Sequence, residues 1–81
     1  MTREELIDIL DTVGDVEFSC HGKRYTALCW WTDGGAINIA EQDTEENEKV
    51  FADGAACVDG YMIDGKPLGE RLDEFELLDM N

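Results

Sequence analysis

Twenty aspartates and glutamates stand against six lysines and arginines in this 81-residue chain, a formal charge of −14. Self-repulsion of that size works against any compact state. Small stable domains are usually comfortable at a magnitude of about 2 to 8. The chain can fold only because its apolar share offsets the repulsion: 43% of residues are hydrophobic, including two Trp, three Phe and two Tyr. That share is near the globular norm, and a disordered acidic tail would lack it. The length allows one domain, residues 1–81, with a single modest core that buries roughly 60% of the unfolded surface.

Solubility alone does not require so large an excess of carboxylates, which invites a functional explanation. It also argues against direct contact with nucleic-acid phosphates or an anionic membrane, since the electrostatics would oppose both. The first residues lack a basic segment followed by an apolar stretch and do not read as a signal peptide. No apolar run approaches the roughly 20 residues that span a bilayer. Three cysteines, Cys20, Cys29 and Cys57, cannot all pair within the chain. Without an export signal they favour reduced thiols in a cytoplasm.

The pattern along the chain predicts an α+β domain. Thr2 and Glu5 form a capping box. Leu6, Ile9, Leu10 and Val13 follow at helical spacing, and Gly14 is the expected stop. Residues 16–20 alternate, with Val16, Phe18 and Cys20 on one side. His21-Gly22 sits where a two-residue hairpin turn belongs, and the return strand over 23–31 places Phe18 opposite Tyr25 and Val16 opposite Ala27. Thr32-Asp33-Gly34-Gly35 marks a second turn, and 36–40 a third strand with Ile37 and Ile39 facing together. This is a three-stranded antiparallel meander.

Further on, Val50-Phe51-Ala52 fits a short strand, and Asp53 caps a weak helix through Ala55, Ala56, Cys57 and Val58. Asp64-Gly65-Lys66-Pro67 is a turn, after which Pro67 opens a short helix reaching Leu72. Phe75, Leu77 and Leu78 suggest a closing strand. The expected architecture is a small antiparallel sheet with an N-terminal amphipathic helix and one or two short helices on one face.

The candidate functional residues are acidic. Glu4, Asp8, Asp11 and Asp15 recur at steps of three or four residues, roughly 4.5 to 6 Å along a helix. That resembles the spacing of phosphates along a nucleic-acid strand, and only Arg3 is available to mix the sign of the stripe. Asp43, Glu45, Glu46 and Glu48 form an acidic loop. Glu70, Asp73, Glu74, Glu76 and Asp79 form a third patch. Together they predict negative potential over much of the surface, which speeds encounter with a basic partner and weakens in salt. Trp30 and Trp31 face opposite sides of a strand, so one of them, with Leu28, is a candidate interface anchor.

Other chemistries fit poorly. Calcium loops need a register of oxygen ligands that Asp59 and Asp64 do not begin. Cys20, His21, Cys29 and Cys57 lack the paired spacing of a zinc site, so buried thiols are the expectation. The single His21 sits on an expected hairpin tip without an obvious buried acid to orient it. Gly34-Gly35 lacks the lysine and the strand–helix context of a phosphate loop. No metal, cofactor or enzymatic activity is expected.

In length, charge, acidic stripe and acidic loop the chain resembles small phage or mobile-element inhibitors of host defence, notably anti-CRISPR proteins and other DNA mimics. The same profile fits antitoxins and immunity proteins that plug basic nuclease clefts. The likeness is one of class; anti-CRISPRs share no signature, so it carries over no residue roles. It implies a stoichiometric inhibitor that occupies a Lys/Arg-lined nucleic-acid channel. The competing expectation is a non-enzymatic interaction module, or small-complex subunit, docking through a sheet edge or the Trp30 face.

Overall fold

A computed structural model of the chain describes residues 1–13, 15–30, 36–42 and 48–80, without the side chains of Cys29 and Trp30. Helix α1 spans Arg3–Thr12. Thr2 caps it, its hydroxyl accepting from the Glu5 N–H at 3.2 Å and donating to the Glu5 carboxylate. Ile9 accepts the last helical bond from Val13, whose own backbone is already extended at φ −98° and ψ 132°.

Strands β1 (Asp15–Cys20), β2 (Lys23–Trp30), β3 (Ala36–Glu41) and β4 (Lys49–Phe51) follow as an antiparallel meander. Its first hairpin has the expected register, Phe18 opposite Tyr25 and Val16 opposite Ala27. His21 and Gly22 both take positive φ (53° and 76°), as the right-handed twist of a two-residue hairpin requires. The expected turn at 32–35, the Gly14 stop and the side chain of Trp31 lie outside the described residues.

After β4, Asp53 caps helix α2 (Gly54–Gly60) by accepting from the Ala56 N–H at 2.8 Å. A two-stranded ribbon follows, β5 (Met62–Ile63) and β6 (Lys66–Pro67), turning at Asp64-Gly65, both with positive φ. The helix expected from Pro67 to Leu72 is shorter than that. Pro67 belongs to β6, and a single 3-10 turn covers Leu68–Glu70. Arg71 follows it, its backbone leaving the helical region at φ −111° and ψ 13° and its guanidinium donating to the carbonyls of Ile63 (3.0 Å) and Asp64 (2.8 Å) of the ribbon.

Strand β7 (Phe75–Met80) then returns beside β1, giving the sheet order β4-β3-β2-β1-β7. Among the described residues the sheet therefore has five strands, with β7 on the edge far from β4. The molecule is α+β, its two helices and the 3-10 turn packed against one face of the sheet.

That face carries the core. Leu6 and Leu10 of α1 meet Val16, Phe18 and Cys20, Tyr25 and Ala27, and Ile37 and Ile39, with Cys57, Val58, Tyr61, Ile63 and Leu68 completing it. Phe75, Phe18, Tyr25, Tyr61 and Phe51 form a row of ring contacts, stacked at 4.6 and 5.2 Å and then edge-on at 6.0 and 6.4 Å. The row runs from one edge strand to the other, so the last strand is fastened through the core as well as through its backbone. Among the described residues no helix is long and apolar enough to cross a membrane.

Candidate functional site

The acidic stripe divides between two faces of the molecule. Glu4 and Asp8 lie exposed on α1, and neither forms an ion pair with a described residue. Arg3, the helix's own base, is turned away from them. Its guanidinium grips Asp59 of α2 through two bonds of 2.9 and 2.5 Å. That fork holds the Asp59 carboxyl below its ordinary range, chiefly by hydrogen bonding.

Asp11 is exposed, yet one of its oxygens accepts the Gly54 N–H at 2.7 Å. It thus serves first as an anchor for the start of α2. Asp15 does not belong to the helix face at all. The helix ends at Thr12, and Asp15 opens β1, paired across from Leu28. The acidic spacing runs on past Val13, but the helical turn does not, because Val13 is already extended.

Asp15 instead joins a second acidic group, on the sheet face turned away from the helices. Residues alternate along each strand, so Glu17, Thr26, Asn38 and Glu76 share that face with it while their neighbours enter the core. A β-bulge between the Glu17 and Phe18 pairings brings Asp79 opposite Glu17. Asp15, Glu17, Thr26 and Asp79 line a shallow hollow of about 250 Å³. Arg24 reaches Glu17 only at 3.9 Å. Leu28, a predicted anchor, is 37% exposed on the same face.

Of the acidic loop, Glu48 is exposed just before β4; Asp43, Glu45 and Glu46 lie outside the described residues. Trp30 pairs with Ala36 at the end of β2, and its side chain also lies outside them. In the third patch Glu70 and Asp73 are exposed, Glu76 and Asp79 sit on β7, and Glu74 is engaged.

Glu74 belongs to a cluster that sequence reasoning missed. The Nδ1 of His21 contacts Asp64 at 2.6 Å and its Nε2 contacts Glu74 at 2.9 Å, while Arg71 donates to Glu74 at 3.1 Å. The His21 pKa is raised by hydrogen bonds to Asp64 and then Glu74, and both carboxyls are lowered, chiefly by the bond to His21. With a carboxylate against each ring nitrogen, the two contacts favour the protonated imidazole, which has no free nitrogen to act as a base. The adjacent Cys20 is 1% exposed, and burial pushes its thiol pKa up, so it is not poised as a nucleophile. His21 and Asp64 are both positive-φ turn residues. The only hint of their meeting was two similar turns, 43 positions apart.

Among the described residues no three His, Cys, Asp or Glu side chains are arranged to hold a metal ion. Compared with family models, curated proteins and solved structures, the chain matches none of them.

Proposed function

We propose that this protein is a stoichiometric, non-enzymatic inhibitor of the anti-CRISPR or DNA-mimic kind, acting in the cytoplasm. It presents carboxylates where a nucleic-acid-binding effector or nuclease expects phosphates. The observation that supports this reading is the state of the bases. Of the six bases, Arg3 and Arg71 are committed to carboxylates of their own chain, Lys23 and Arg24 reach theirs only at 4.0 and 3.9 Å, and Lys49 and Lys66 lie on β4 and β6, away from α1 and from the β1–β7 face. Glu4 and Asp8 on one side, and Asp15, Glu17 and Asp79 on the other, are left with little to offset them. Paired charges at such a surface give speed and specificity of association, with affinity set by the desolvation each pair suffers.

Glu4→Lys/Asp8→Lys is the informative variant, because neither side chain holds the fold. Partners retained by the immobilised protein from a host lysate are eluted in steps of NaCl. Each is then tested for DNA or RNA binding in a mobility-shift assay with the protein added. The reading expects elution below about 0.5 M salt, where screening is severe. It expects displacement of the nucleic acid near a 1:1 ratio, and at least about tenfold weaker displacement by the double variant. Partners that survive about 0.5 M salt and keep their nucleic acid would refute it.

A further inference from the structure

The two edges of the sheet are unlike. β4 is three residues long and packs beside α2, whereas β7 is six residues long and no described strand pairs with its outer side. Natural edge strands are blunted by lysine, proline, shortness or a cover. β7, Phe-Glu-Leu-Leu-Asp-Met, has neither lysine nor proline. It exposes Leu78 (40%) and Met80 (45%). A hollow of about 260 Å³ runs along it, lined by Leu77, Leu78, Asp79 and Met80.

Among the described residues its guards are the bulge at Leu78 and two carboxylates, and the carboxylates discriminate between occupants. Two copies pairing antiparallel over the whole of β7 would set Glu76 of each against Asp79 of the other, between molecules each carrying −14. Like charges placed directly across strands destabilise the pair. A strand bearing lysine or arginine at those places gains from the same two side chains. The bulge sets Glu76 opposite Ser19 and Asp79 opposite Glu17, so on the outward face the two acids stand one alternation apart.

We propose that the open edge of β7 receives an extended basic segment of a partner protein, adding a sixth strand to the sheet. The segment alternates Lys or Arg, facing Glu76 and Asp79, with apolar residues that cover Leu77 and Met80. Backbone bonding supplies affinity and the alternation supplies selectivity. This mode does not depend on the partner binding nucleic acid, and it uses neither Glu4 nor Asp8.

The probe is a synthetic peptide, Lys-Val-Lys-Val-Lys-Val-Lys, titrated into the ¹⁵N-labelled protein. Expected are shifts and slowed hydrogen exchange of amides over residues 75–80, at least tenfold weaker binding when alternate peptide nitrogens are methylated, and none by the glutamate counterpart. The methylated peptide keeps every charge and loses only the strand's donors. Equal binding by it, or shifts confined to α1, would overturn the proposal in favour of plain electrostatic adsorption. No binding at millimolar peptide would overturn it as well, as would a salt-resistant dimer of the free protein by sedimentation. Each of these results leaves the Glu4/Asp8 experiment untouched.

Discussion

His21 is the residue at which local and distant chemistry meet. Its backbone sits at φ 53°, a conformation that asparagine also tolerates. His21→Asn therefore keeps the turn and removes only the clasp to Asp64 and Glu74. Bonding to those two raises the His21 pKa above 6.5, so its contribution is complete below pH 6.5 and is lost as pH rises through the folded value. Asp64 and Glu74 are depressed below 3.8 and 4.5, so theirs is present above those values and lost on acidification. The positive charge of Arg71 works against protonation of His21. The difference in urea midpoint between wild type and His21→Asn should be widest near pH 5.5 and narrow toward pH 9. A constant difference would mean that the ring acts by packing alone. The turn itself was legible from His21-Gly22; its partners were not, because nothing local couples a hairpin tip to acids 43 and 53 positions away.

Among the elements, the junction of α1 with α2 is closely packed. Asp11 accepts the Gly54 N–H, and a β-carbon on Gly54 would lie 2.8 Å from both the Asp11 carboxylate and the Ile7 carbonyl. Gly54→Ala should cost about 2 kcal/mol, in the range of overpacked cores. Asp11→Ala should cost about 1 kcal/mol through the orphaned N–H. Asp8→Ala should stay within about 0.5 kcal/mol, as surface changes do. Urea unfolding of the three variants checks the order; an Asp8→Ala loss equal to that of Asp11→Ala would dissolve the distinction between anchor and free carboxylate. The capping box, the first hairpin and the Asp53 cap could be read from sequence because each is a contract between neighbours. The site of β7 beside β1 could not, since a short apolar strand with two adjacent leucines fits either edge of a meander. Asp15 was misplaced for a related reason: acidic spacing continued past a helix that Val13 had already ended.

At the scale of the whole molecule the charge was plain from composition, while its division into a helix face and an outer sheet face needed the fold. The globule measures 33 × 27 × 22 Å, comparable to the screening length of about 30 Å at 0.01 M salt. At that ionic strength every carboxylate repels every other; at 0.5 M, interactions are cut to immediate neighbours. NaCl raised across this range should therefore stabilise the free protein by about 1 kcal/mol, an increase in Tm of about 5 °C for a domain of this length. A partner held by the same carboxylates must respond in the opposite direction, its Kd rising as its charge pairs are screened. Measured together, by calorimetric scans and by partner affinity in one salt series, the two slopes should have opposite sign. If the Tm climbs while the affinity holds, the negative field is a burden the fold carries for solubility, and recognition resides in apolar or backbone contacts. A flat Tm would mean that the carboxylates are spaced widely enough to ignore one another, so that the excess charge imposes no strain for a functional role to offset.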